Sequence, residues 1–301
     1  MRQEKLAVGV RQFHLSASLQ DYFTALYLFT IDCPQGSLVE DHLHPEWAVM
    51  RFTVQGEPPV AQIGRGPLRQ TWPFVASGPT SKAIRFGLAT SQIWGLGLQP
   101  AGFAKFIPVP AHTLADRIVS GEDDAFALFT PLMHIMTSEI GDPEAAARRI
   151  EALLLAQVEH KATNEHRILA CQAALRDTDI ASVAELCERI DVNQRSLERL
   201  CSRYFGFPPK MLLRRQRFLR SLAQFTVARE GSWSRSLDGH YCDQAHFVRD
   251  FKAFMDMTPS EYADMPHPVL DRIMAQRMAD QGALPSTQLP TVLRYGRRAT
   301  G

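Results

Sequence analysis

No stretch of this 301-residue chain approaches the run of about eighteen apolar residues that a membrane helix needs. The opening MRQEKLAVGVRQFHL has no apolar segment of signal-peptide length either, so no membrane is expected as a partner and the expected location is the cytoplasm. Cysteine is sparse. The five present (Cys33, Cys171, Cys187, Cys201, Cys242) are odd in number, scattered and never arranged as C-x-x-C, which argues against a disulfide framework or a structural zinc site. Net charge is nearly absent, at +1, so nucleic-acid binding has to be sought in how charge is distributed rather than in its total. G-x-S-x-G, H-E-x-x-H, the P-loop and the dinucleotide fingerprint are all missing, and neither an enzyme nor a cofactor is expected.

What remains is an ordinary globular composition, 45% hydrophobic and 22% charged, at a length that favours two domains. From Phe13 to about Pro110 the chain is cut into short runs rich in Val, Ile, Phe, Trp and Thr (YLFTI, WAVMRFTV, AIRFGLA, IWGLGL). Their spacing predicts a compact sandwich or small barrel with turns at Gly64 to Pro67 and Ser77 to Thr80. From Leu114 the patterns become helical, and Asp142-Pro143 opens a helix that ends near His160. The expected fold class is therefore α+β multidomain: residues 1–160 form a β-rich sensor-like or assembly domain with C-terminal helices, and residues 161–265 form an all-α domain. Residues 266–301 form a tail expected to be flexible, with a short helix at VLDRIMAQRM.

The all-α part is organised around Asn193 to Phe218. Leu197, Leu200, Cys201 and Tyr204 share one face of a helix, and Arg195, Glu198, Arg199 and Ser202 share the other. Gly206 can end that helix with φ > 0, and Pro208-Pro209 opens the next one, which carries Lys210, Arg214, Arg215, Arg217 and Arg220. Between Val192 and Arg235 stand ten Lys or Arg against two acids. Upstream, Ser182 with Glu185 reads as a capping box, and Val183, Leu186, Cys187 and Ile190 form an apolar face, so Ser182 to Tyr204 has the punctuation of a helix-turn-helix. A second copy follows about fifty residues later, with Phe247, Phe251 and Phe254 on one face and Ala245, Arg249 and Lys252 on the other.

These residues resemble the AraC/XylS family of bacterial transcription regulators, whose DNA-binding domain holds two helix-turn-helix units joined by a long helix. The likeness runs over roughly residues 168–262. It is carried by R-x-L-x-R at Arg195, Leu197 and Arg199, by G-x-x-P at Gly206 and Pro209, by D-Q-A-H-F-x-R-x-F-K from Asp243 to Lys252, and by Thr258-Pro259 with Tyr262. A fainter likeness to the family's sensor-like domain covers Gly78 to Lys82 and Gly95 to Phe106. The family's turn glycines are replaced by Asp191 and His240, and the residue before Thr258-Pro259 by way of Met257 is Asp256; Asp and His tolerate the left-handed region better than most residues. Ser232 to Gly239 is a poor match to the first helix of the second unit, with only Trp233 and Leu237 to bury.

The resemblance implies a sequence-specific DNA-binding transcription regulator whose two reading helices enter successive major-groove segments about 34 Å apart. It implies base-edge contacts by Arg195, Glu198, Arg199, Gln244, Ala245, His246, Val248 and Arg249, and phosphate contacts by Gln194, Arg203, Lys210, Arg214, Lys252 and Thr258. Double-stranded DNA is the expected partner. RNA polymerase, a small-molecule effector at the N-terminal domain and a second copy of the chain are further candidates. The rival reading is a cupin-type metal-dependent enzyme fused to a DNA-binding module, with His42, His44 and Glu46 as ligands, since alternate residues of a strand share a face. No third His partner is evident from the sequence, so no metal is assigned. The aromatics Trp47, Phe52, Trp72, Phe74, Trp94 and Phe103 could line a pocket or fill a core.

Overall fold

The computed structural model describes residues 6–158, 163–228 and 237–273. Ten strands make two antiparallel sheets. The larger takes β1 (Ala7–Phe13), β2 (Phe23–Asp32), β9 (Ser91–Leu98), β4 (Val49–Gly56), β7 (Phe74–Ser77) and β10 (Ile118–Ser120) in that order; the smaller takes β3 (Val39–Leu43), β8 (Ile84–Leu88), β5 (Val60–Ile63) and β6 (Arg69–Gln70). The runs YLFTI and IWGLGL belong to the central strands β2 and β9, which are covered on both faces. Leu26 and Leu28 of β2, with Trp94 and Leu96 of β9, point to the helices α2 (Thr130–Ser138) and α3 (Pro143–Val158). Phe29, Ile31 and Ile93 point the other way, toward Phe86 and Leu88 of the smaller sheet. Burial on both faces removes the polar alternation that a half-exposed strand would show.

The helical part comprises α4 (Glu165–Ala174), α5 (Val183–Arg189), α6 (Gln194–Phe205), α7 (Pro209–Ala228), α8 (Gln244–Met255) and α9 (Pro259–Asp264). Ser182 and Glu185 make the expected capping box at the start of α5, and the expected turn residue Asp191 takes φ +51°. Asn193 caps α6, and Gly206 ends it at φ +85°, where an added Cβ would stand 2.5 Å from Pro79 Cγ. Asp243 caps α8, which ends at Asp256 with φ +58°, so an aspartate does there what Gly206 does after α6. His240 is not among the positive-φ residues. Most of Ser232 to Gly239 lies outside the described residues.

The boundary expected near residue 160 falls in the undescribed segment 159–162, and residues from either side of it share cores. Trp47 and Ala101 of the β-rich part lie in one core with Ile168, Leu186, Leu197 and Phe205 of the first helix-turn-helix unit. A short helix α1 (Pro100–Phe106) mediates part of this contact: Gln172 of α4 accepts from the Ala101 amide and donates to the Asp21 carbonyl. Ala83 joins the core of the second unit with Phe218, Phe247, Phe251 and Phe254, and its amide donates to the Phe254 carbonyl.

Residues 266–273 correct the expectation of a free tail. Val269 and Leu270 are 2% and 5% exposed, and Val269 packs with Phe29, Phe86 and Ile93 between the two sheets. Their amides both donate to Asp41, whose carboxylate also meets His267 at 2.9 Å. The segment is polar enough to read as solvated, yet its few apolar residues fill the mouth of the sandwich. Residues 274–301 lie outside the described residues.

Candidate nucleic-acid interface and the cavity behind it

Each helix-turn-helix unit presents one helix whose inner face is locked and whose outer face is open. On α6, Leu197, Leu200, Cys201 and Phe205 are buried, while Gln194, Arg195, Glu198, Arg199 and Arg203 are exposed. Gln194 donates to Glu198 at 2.9 Å, so this carboxylate is already oriented by the residue one turn earlier. On α8, Phe247, Phe251 and Phe254 are buried, and Gln244, Ala245, Arg249 and Lys252 are exposed. Val248 and His246 are half-buried at the inner margin. His246 accepts from Arg217 at 3.0 Å and stands edge-on to Tyr241. Lys210 is exposed at the start of α7, and Thr258 caps α9 in a box with Glu261.

The other basic residues of α7 are not laid out as a surface. Arg214 donates through Nε and a terminal nitrogen to Asp250 at 3.0 and 2.6 Å, Arg217 reaches the same carboxylate at 3.1 Å, and the Tyr241 hydroxyl donates to it at 3.1 Å. Asp250 is 1% exposed. Arg220 is buried against Asp238, and Arg215, 1% exposed, lies 3.7 Å over the Trp47 ring. Four of the five basic side chains of this helix are therefore used inward. The charge count could not reveal this, because an ion pair inside a helical domain and a phosphate contact draw on the same residue types. Asp250 did leave a trace: it is an acid on the Phe247 and Phe254 face, where burial requires a partner.

Of the residues in the rival metal reading, His44 and Glu46 serve other partners and His42 Nδ1 has no hydrogen-bond partner. His44 Nε2 meets the Tyr262 hydroxyl at 2.8 Å, Glu46 accepts from Arg51 at 2.6 Å, and His42 is buried beside Arg85 and Asp41. Among the described residues no cluster of three His, Cys, Asp or Glu could hold a metal ion. Of the six aromatics, Phe52, Phe74, Trp94 and Phe103 belong to the main β core, Trp72 is exposed, and Trp47 lies at the domain contact.

Trp47 also lines a cavity of about 130 Å³ between the β-rich part and the helices. Gln12, Tyr27 and Arg51 contribute from the strands, Gln99 from the step between β9 and α1, and Arg176, Arg215, Leu219 and Leu270 from the helical side. Neither amide atom of the Gln99 side chain has a hydrogen-bond partner, although the residue is 0% exposed, and Arg215 Nε has none either. Sequence reading missed Gln99. Its trace is a lone amide closing the apolar run IWGLGL before Pro100.

No helix among the described residues is long and apolar enough to cross a membrane. No curated protein matches the chain. Similar solved structures include ToxT from Vibrio cholerae with an unsaturated fatty acid bound, at 12% identity over 89% of this chain and 99% of that one, TM-score 0.40. They include ToxT from Vibrio cholerae O395 bound to (E)-4-(8-methylnaphthalen-1-yl)but-3-enoic acid, at 9% identity over 86% and 98%, TM-score 0.43. The AraC-like transcriptional activator CuxR is similar at 14% identity over 72% and 87%, TM-score 0.31. Residues 186–265 match the family model described as a helix-turn-helix domain. With both units, their caps and their open faces in place, this region is an AraC-type helix-turn-helix domain, and the protein is a DNA-binding transcription regulator.

Proposed function

We propose that this regulator reads its operator with the outer faces of α6 and α8. Arg195, Glu198 and Arg199 meet base edges from the first unit, and Gln244, Ala245 and Arg249 do so from the second, with His246 and Val248 at the margin. Gln194, Arg203, Lys210, Lys252 and Thr258 hold phosphates. Arg214, bound to Asp250, is assigned to positioning α8 rather than to a phosphate. The observation that carries this reading is the repeated design of the two helices. Each is N-capped by an Asn or Asp side chain, ended by a residue at positive φ, buried on one side and exposed with Arg and Gln on the other. The β-rich part is proposed to sense a small molecule, since the cavity lies where strand residues face α7. Action in the cytoplasm by binding alone, contact with RNA polymerase and pairing of two copies complete the proposal.

Selection of bound genomic fragments by the full chain supplies the test site. Arg199→Ala is expected to lose about 1–3 kcal/mol there, as removal of a bidentate guanine contact does, and to lose less on random DNA. Equal weakening of both DNAs would contradict the assignment of α6 as the reading helix.

A further inference from the structure

Gln172 and Gln99 lie on the walls of the same cavity, and both are buried, at 4% and 0% exposure. The fold satisfies Gln172 at both ends of its amide, through the Ala101 amide and the Asp21 carbonyl. It satisfies Gln99 at neither. A buried amide without partners is destabilising, and a leucine of similar size would avoid that loss. Arg215 repeats the anomaly in charge. One terminal nitrogen donates to the Glu46 and Thr80 carbonyls at 3.3 and 3.0 Å, while Nε has no acceptor. Two neighbouring cations have acids beside them, Arg51 with Glu46 and Arg220 with Asp238. Among the described residues no carboxylate is in ion-pair contact with Arg215. Burial pushes its guanidinium down to about 9, against the longer-range pull of Asp116 and Glu46, so it still carries its charge at neutral pH.

From this juxtaposition we infer that the cavity is a binding site for a small organic acid that also carries a hydroxyl group. Its carboxylate accepts from Arg215 Nε–H and from the Gln99 amide nitrogen, and its hydroxyl donates to the Gln99 amide oxygen. These are the unmet hydrogen-bonding positions of Gln99 and Arg215. The body of the ligand meets Leu43, Leu175, Leu219 and Leu270, so it is apolar. A cavity of roughly 150 Å³ takes benzene, so the 130 Å³ here holds the polar end and the first apolar carbons of the ligand, and the rest of a ring lies toward the cavity's open side. This inference rests on the reading of the protein as an effector-controlled regulator. It adds the ligand's chemistry and the route of the signal: Gln99 follows β9 as the N-cap of α1, while Arg215 stands on α7, the helix that joins the two DNA-reading units.

The test uses the full chain and three matched probes: mandelate, mandelamide, which lacks the charge, and phenylacetate, which lacks the hydroxyl. Mandelate at millimolar concentration should raise the Tm progressively, as a ligand of the native state does. Mandelamide should bind about tenfold to a hundredfold more weakly, the loss expected for a charge-assisted hydrogen bond, and phenylacetate about tenfold more weakly. Gln99→Leu should melt at or above the wild-type temperature without ligand and respond about tenfold less to mandelate. Arg215→Met should lose the response, but Gln99→Leu is the safer variant because it removes no interaction within the protein. No response of the wild type to mandelate, equal binding of acid and amide, or an undiminished response of Gln99→Leu each overturns the inference. DNA binding by the same samples separates the two claims. If DNA is bound and mandelate is not, the ligand assignment alone fails; if DNA is not bound, the regulator reading fails with it.

Discussion

Asp250 shows how one buried carboxylate can fix a reading helix. It stands on α8 and gathers Arg214 and Arg217 from α7 and the Tyr241 hydroxyl, while Arg217 in turn donates to His246. One buried carboxylate holds both guanidinium groups, so removing it leaves the largely buried Arg217 charge without its acid. Asp250→Ala is expected to destabilise the protein by about 3–5 kcal/mol, the range for breaking a buried pair from one side. Urea denaturation measures this, and a loss under about 0.5 kcal/mol, the scale of a neutral surface change, would show that the cluster is ornamental. Asp250→Asn, which keeps the shape but not the charge, should fall between the two. Arg199 behaves differently because its side chain faces solvent on α6, so its loss is expected in DNA affinity and not in melting temperature.

At the scale of the element, the segment after α9 shows what pH does to the domain contact. His267 places Nδ1 at 2.9 Å from Asp41 and Nε2 at 3.0 Å from the Tyr262 carbonyl, so both ring nitrogens face acceptors and the imidazolium serves both. Burial lowers the His267 pKa, but the Asp41 and Tyr262 bonds outweigh it and hold the imidazole above 6.5, with Asp271 adding to the effect. Burial likewise raises Asp41, and the bonds from His267, Leu270 and His42 outweigh it, holding the carboxyl below 3.8. A raised histidine stabilises fully below its unfolded value and less as pH rises through the folded one; a lowered aspartate stabilises above its unfolded value and less as pH falls through the folded one. The pair therefore acts fully between 3.8 and 6.5. The difference in Tm between wild type and His267→Gln should be largest near about pH 5.5 and shrink toward about pH 9. Burial holds the His42 pKa down, with the His267 charge adding to the effect, so removing His267 eases His42 protonation and lowers the difference only where His42 titrates. A difference that is constant or grows with pH would mean that the contact does not depend on the imidazolium.

The same elements show what the sequence could reveal. Caps and turns are local chemistry, so Ser182 with Glu185, Asn193, Gly206 and the left-handed Asp191 and Asp256 were legible before any coordinates. So were the inner faces of α6 and α8, because helical period alone sorts Leu197 from Arg199 and Phe251 from Arg249. The inward turn of Arg215 and Arg217 was not legible. Their acceptors lie 23 to 169 positions away, and an arginine on a helix looks the same whether it meets a phosphate or a buried carbonyl. Val269 was missed for a related reason: its core partners Phe29, Phe86 and Ile93 sit at the other end of the chain.

For the whole molecule, the β-rich part is a participant in the DNA-binding domain's architecture. It supplies Trp47, Ala83 and Ala101 to the helical cores, accepts the Val269 segment, and leaves the outer faces of α6 and α8 uncovered. Tyr22 and Lys105 both reach Glu165 across the same contact, at 2.7 and 2.8 Å. Such a frame can transmit a change at the cavity to both reading helices, because α7 contributes Leu212 to one core and Phe218 and Leu222 to the other.

The central claim is that exposed side chains of α6 and α8, and not the buried arginines of α7, meet the nucleic acid. The salt dependence of DNA affinity tests it most directly, since each phosphate neutralised contributes about 0.9 to the slope of log K against log salt. The wild-type chain should bind a selected operator with affinity falling steeply between about 50 and 200 mM salt, by about 10³ or more if six or more phosphates are met. Lys252→Ala, on the open face of α8, should lower the slope by about one unit on operator and random DNA alike. Arg215→Met, buried against Trp47, should leave the slope unchanged. A slope untouched by Lys252→Ala and lowered by Arg215→Met, or binding indifferent to salt, would contradict the account.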